Sequence, residues 1–67
     1  MRNLTESREY KLGSLYLDAY LYRGKWHLID FDDRRHFSVQ KGGEILESTH
    51  SEEGEYTGFS VEDLKTI

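Results

Sequence analysis

A chain of 67 residues with no cysteine has room for one domain and none for a disulfide or a thiolate zinc centre; at this size folding buries only about 60% of the unfolded surface. Charged residues make up 33% of the chain and apolar residues 36%, a composition open to disorder, but five Tyr, three Phe and one Trp argue for an ordered core because each ring buries about 150–250 Å². No apolar run reaches the ~18 residues of a membrane span, and no charged-then-apolar leader is found, so a cytoplasmic protein without membrane contact is expected.

Residues 1–8 are mostly polar and without period and are expected to fray, although Leu4 and Tyr10 are candidate anchors for this N-terminal segment. From Tyr10 to Phe31 apolar residues recur with period two. Leu15, Leu17, Ala19 and Leu21 fall on one parity, and Tyr16, Asp18, Tyr20 and Tyr22 on the other, the pattern of a β-strand with two distinct faces. Gly13-Ser14 interrupts this run as a bulge, a bend or a turn. Arg23-Gly24 is the strongest hairpin signal. A two-residue turn sets Trp26 and Leu28 opposite Leu21 and Ala19 and gathers them on one core face. A three-residue loop spares Arg23 a positive φ but moves every facing pair to the other side. Core burial favours the two-residue register, since a non-Gly left-handed residue costs only about 1–2 kcal/mol.

Asp32-Asp33-Arg34-Arg35 reads as the next turn, His36 to Gln40 as a strand, Lys41-Gly42-Gly43 as a turn and Glu44 to Glu47 as a strand. Residues 48–55 contain no aliphatic side chain and are expected to form an exposed acidic loop. Tyr56 and Phe59 are expected to re-enter the core. Ser60-Val61-Glu62-Asp63 offers a helix N-cap with an acid at N3, and Phe59 and Leu64 are spaced as a hydrophobic staple. The resulting fold class is mainly β or α+β: one domain over 1–67, an antiparallel meander of four to five short strands or a small curled barrel, closed by one short C-terminal helix that packs Val61, Leu64 and Ile67 on the sheet.

Charge is unevenly spread. Residues 1–41 carry eight Lys/Arg against six Asp/Glu, and residues 42–67 carry one Lys against seven acids. A net-acidic chain repels nucleic acid and attracts basic partners. His27, His36 and His50 lie near Asp30, Asp32 and Asp33 in sequence, but their spacing fits no ligand pattern. The Asp30-Phe31-Asp32-Asp33 run lacks the sixth-position Gly and twelfth-position Glu of a calcium loop. No metal and no cofactor are therefore expected. No G-x-S-x-G, H-E-x-x-H or glycine-rich phosphate loop is present, and a sheet this small leaves little room for a pocket of a few hundred Å³, so no catalysis is expected.

Binding is the expected role. In the two-residue register Tyr16, Tyr20, Tyr22, His27, Ile29 and Phe31 share a face too apolar to stand in water while one short helix covers the other. The expectation is a non-catalytic protein-interaction or regulatory module, with an unspecified protein partner or a second copy of the chain on that face. Two alternatives stand beside it. One is single-stranded nucleic-acid binding, with bases stacked on the tyrosines and phosphates held by Lys25, Arg34 and Arg35; the other is an acidic inhibitor of a basic partner.

Overall fold

The period-two segments all become strands, and their turns are short enough to force neighbours in sequence to pair. The computed structural model describes residues 3–49 and 52–67. Its elements are β1 (Glu9–Leu12), β2 (Leu15–Tyr22), β3 (Lys25–Asp30), β4 (Arg35–Val39), β5 (Glu44–Thr49), β6 (Glu52–Ser60), one 3₁₀ turn (Val61–Asp63) and β7 (Lys65–Thr66). All seven strands lie in one antiparallel sheet of order β6-β5-β4-β3-β2-β1-β7.

Two expectations about the architecture are corrected. Seven strands replace the four to five expected, and the C-terminal helix is a single 3₁₀ turn. The cap chemistry is present, with the Ser60 N–H donating to the Asp63 carboxylate at 2.8 Å. Extension of the helix loses to strand pairing. Leu64 is extended (ψ 135°) and the chain runs on to pair Lys65 with Lys11 and Thr66 with Tyr10. A two-turn helix is marginal alone, whereas β7 satisfies backbone groups at the edge of β1.

The loop expected over 48–55 shrinks likewise, because β5 runs to Thr49 and β6 starts at Glu52; its central residues 50–51 lie outside those described. The β5–β6 ladder tolerates this only with two register shifts. Beside one of them Gly54 approaches so closely that a Cβ there would stand 2.8 Å from Leu46 Cβ and 2.9 Å from the Glu47 carbonyl oxygen. Residues 3–8, expected to fray, are tied down. Leu4 is buried in the core, the Ser7 N–H donates to the Ala19 carbonyl at 2.7 Å, and the Thr5 N–H donates to the Tyr10 hydroxyl at 2.9 Å. Residues 1–2 lie outside the described chain.

The hairpin at Arg23-Gly24 takes the two-residue register, pairing Tyr22 with Lys25, Leu21 with Trp26 and Ala19 with Leu28. Both central residues have positive φ, 51° for Arg23 and 76° for Gly24, the type I′ pattern whose twist matches the strands it joins. Gly13-Ser14 is also a two-residue turn, with Leu12 opposite Leu15.

The sheet curls into a half-barrel, and the connectivity requires it. A flat seven-stranded sheet separates its outer strands by about 29 Å. Here the outer strands β6 and β7 are joined by only Val61 to Leu64, a link that spans at most about 18 Å. The concave side holds the core. Leu17, Leu28, Phe37, Ile45 and Val61 are essentially sealed from solvent, with Tyr10, Leu12, Ala19, Val39, Leu4 and Leu64 packed around them. The 3₁₀ turn plugs this inner side through Val61 and Leu64. Tyr56, Phe59 and Ile67 stay exposed rather than entering the core, because the β6 bulges and the short β7 leave them at the sheet's margins.

Candidate functional site

The fixed hairpin register decides which side chains share the outer, convex side. Across the strands Tyr20 faces His27, His27 faces Ser38, Ser38 faces Leu46 and Leu46 faces Tyr56. The flanking row runs Asp18, Ile29, His36, Ser48. Among the described residues no non-strand element lies over this side, since the one 3₁₀ turn buries Val61 in the core cluster.

Three rings stack across three strands at its centre. Tyr20 and His27 lie 5.1 Å apart and 13° from parallel, and His27 and His36 are 5.0 Å apart at 25°. Tyr22 meets His27 edge-on at 6.0 Å. These spacings are those of favourable aromatic pairs. His27 Nδ1 and His36 Nε2 stand 3.0 Å apart, so one imidazole N–H donates to the other's lone pair. That bond needs at least one neutral ring. Burial first, then the neighbouring His36 and Lys25 charges, hold the His27 pKa below its ordinary value, and burial alone does the same for His36.

Beside the stack the face dips. Ser38 is 7% exposed although it points outward, and Gln40 Nε2 donates to its hydroxyl at 3.3 Å. Small residues Ser38, Ser48 and Gly54 with His27, Gln40 and Leu46 line a depression of about 290 Å³. Tyr16 and Tyr22 stand up beyond it, each more than half exposed, as does Tyr56. The arrangement is a polar-floored dish rimmed by aromatic rings. It can stack flat groups and receive a protruding side chain, and its imidazole pair can pass a proton between its two rings.

Five of the six residues expected on this face, Tyr16, Tyr20, Tyr22, His27 and Ile29, occupy it. Phe31 does not: it lies in the β3–β4 turn, 70% exposed, because the strand ends at Asp30. The Asp30 carboxylate accepts the Asp32 and Asp33 N–H groups at 3.0 and 3.4 Å and folds the chain back one residue early. The face also gains His36, Ser38, Leu46, Ser48, Gly54 and Tyr56. Alternation of His36 with Ser38 was a usable signal, whereas the bulges in β6 concealed Tyr56.

The three cations named for phosphate contact do not converge. Lys25 starts β3, while Arg34 lies in the turn beyond its other end, about 17–20 Å away along the strand. Arg35 is on the inner parity with Phe37, over whose ring its guanidinium sits at 5.3 Å. There it makes two bonds to the Glu47 carboxylate, both 2.8 Å, which draw the Glu47 pKa down and the Arg35 pKa up. Among the described residues no three His, Cys, Asp or Glu side chains gather to hold a metal ion, and His50 lies outside them. No described helix is long and apolar enough to cross a membrane.

A larger hollow contradicts the expectation that so small a sheet leaves little room for a pocket. At the mouth of the half-barrel, between the Arg23-Gly24 turn and the 40–43 turn, a cleft of about 630 Å³ opens over Trp26 and Val39. It forms because the strands splay beyond the last sealed core layer. Leu21, on the same parity as Trp26, is also left 46% exposed there.

No family model matches this chain, and no curated protein or solved structure matches it either. Fold and site together define the class: an antiparallel β half-barrel with a closed inner core and an uncovered outer face of stacked Tyr and His rings.

Proposed function

We propose that this chain is a non-catalytic protein-interaction module whose Tyr–His outer face packs against a second copy of itself. The observation that supports this reading most is the separation of the two sides. Among the described residues the one 3₁₀ turn serves the inner core and no helical element lies over Tyr16, Tyr20, Tyr22, His27 and Ile29, of which Tyr20, Tyr22 and His27 form a contiguous ring cluster. Large, stiff aromatic groups are among the residues that dominate interface energies.

Charge supports a second copy as the occupant. Asp18 and Lys25 sit at opposite ends of the face, either side of the Tyr20–His27 stack. A two-fold axis lying in the interface and passing by that stack sets each Asp18 against the other copy's Lys25, as an isologous contact requires. Shape agrees, because the face offers both protruding rings and a depression of about 290 Å³ to receive them. Five strands at ~4.8 Å spacing make the patch about 20 Å wide, so its footprint falls below the ~800 Å² per partner of a standard interface and the contact is weak.

Sedimentation equilibrium from about 10 μM to 1 mM tests this. A monomer–dimer equilibrium is expected, weakened at least about 30-fold by Tyr20→Ala with Tyr22→Ala, the factor for a lost hot spot of ~2 kcal/mol. A monomer throughout the range, or a double variant that associates like the parent, overturns the reading.

A further inference from the structure

We propose that the cleft at the half-barrel mouth is a separate binding site for a small ligand that joins a flat aromatic ring to an anionic group, as a nucleoside monophosphate does. Its volume, about 630 Å³, falls in the range of small-molecule sites, which are apolar at the floor with a few polar groups at the rim. Trp26 and Val39 supply that floor. The indole packs on the core from one side and lines the cleft with the rest of its half-exposed surface, a platform for a stacked ring.

The rim supplies the anion contact. Lys25 and Lys41 line the cleft from opposite turns, with Glu44 as the one acid among its lining residues. The cleft is thus net positive in a chain whose formal charge is −4, and an anion there meets two ammonium groups at the end of an apolar slot. Gln40 adds an amide that both donates and accepts. Gly24 and Gly42 form its edges, and nothing stands within 4 Å of the side-chain position at Gly24, so a ligand can approach the backbone of that turn. The aromatic floor of the site lies apart from the Tyr–His face. Trp26 has the opposite parity from His27, and Lys25 and Gln40 are the two residues that border both the cleft and the outer depression.

The single Trp of the chain reports on the site directly. AMP, adenosine and inorganic phosphate are titrated against the full chain, and emission excited selectively at Trp26 is followed. The expected result is a saturable change with AMP, at an affinity about 10-fold or more above that of adenosine or phosphate, the factor set by one lost contact of ~1.4 kcal/mol. Lys41→Gln weakens AMP about 5- to 10-fold and leaves adenosine unchanged, while Tyr20→Ala with Tyr22→Ala leaves AMP binding intact even as it weakens self-association. No saturation with AMP up to about 10 mM, where affinity falls below ~3 kcal/mol, overturns the proposal. So does adenosine binding as tightly as AMP, which removes the lysines from the account, or phosphate binding as tightly, which removes Trp26.

Discussion

Val61→Ala tests the claim on which the free outer face depends, that the 3₁₀ turn serves the inner core. Val61 is 1% exposed and packs in the cluster with Leu17, Leu28, Phe37 and Ile45. Truncation removes two buried carbons, worth about 1.6 kcal/mol by transfer, and the unfilled space raises the loss to about 2–3 kcal/mol. A domain of this length holds roughly 3–10 kcal/mol in total. The substitution therefore removes a large share of stability and lowers Tm by about 10–20 °C. Urea unfolding followed by Trp26 emission and by far-ultraviolet circular dichroism measures it, with Glu62→Ala on the exposed side of the same turn as control, expected within ~0.5 kcal/mol of the parent. A Val61→Ala loss below about 0.5 kcal/mol refutes the reasoning, because the turn is then not seated in the core.

Gly54→Ala places a methyl under 3 Å from the Glu47 carbonyl oxygen and is expected to cost about 1–3 kcal/mol, read by the same urea titration; an unchanged midpoint removes the close approach. Both His27 and His36 have folded pKa values below the ordinary 6.5, so the unfolded chain binds more protons and stability falls as pH drops below about 6.5 toward the folded values. His27→Gln with His36→Gln flattens that slope in thermal melts from pH 7.5 to 5, and NMR titration of the ring protons places both midpoints below 6.5. The Arg35–Glu47 pair follows the same sign at lower pH. Glu47 is drawn down by Arg35, its contribution is complete above the unfolded carboxylate value and is lost as pH falls through the folded one, and Glu47→Gln costs no more than about 1 kcal/mol at pH 7 because the pair is partly exposed.

The part of the architecture set by neighbouring residues was legible in the sequence, and the part set by distant ones was not. The Arg23-Gly24 register follows from a local choice, since only the two-residue turn gathers Leu28 with Ala19, and that register alone places Tyr16, Tyr20, Tyr22, His27 and Ile29 together. Phe31 was misplaced because its position depends on Asp30 breaking the strand with its own side chain. The helix at Val61 was misread for a different reason. Its caps are real, but the decision between helix and strand rests on β1, more than fifty residues earlier, whose free edge no local signal announces. The mouth cleft was missed because it is bounded by turns at 23–24 and 40–43, brought together only by pairing of β3 with β4.

The edges of the sheet bear on which surface is available for association. A half-barrel, unlike a closed barrel, leaves two edges with backbone groups ready to pair with another chain. β7 is two residues long and offers almost no template. β6 is nine residues long, but Glu55 stands exposed on it, and its register shifts twist its backbone away from a flat ladder. Charges and bulges are the devices that keep an edge from pairing, and like charges repel when one acidic edge meets another. Strand addition is therefore blocked at both ends of the sheet. The outer face has no such protection: Asp18 and Lys25 at its two ends are of opposite sign, and the rings between them carry no charge while both histidines stay neutral. An assembly of this chain that formed through β6 would be strengthened by Glu55→Lys, which relieves like-charge repulsion along that edge, whereas one formed through the face is indifferent to that substitution and sensitive to Tyr20 and Tyr22. Sedimentation of these variants side by side separates the two routes, and insensitivity to the tyrosines with sensitivity to Glu55 reverses the assignment.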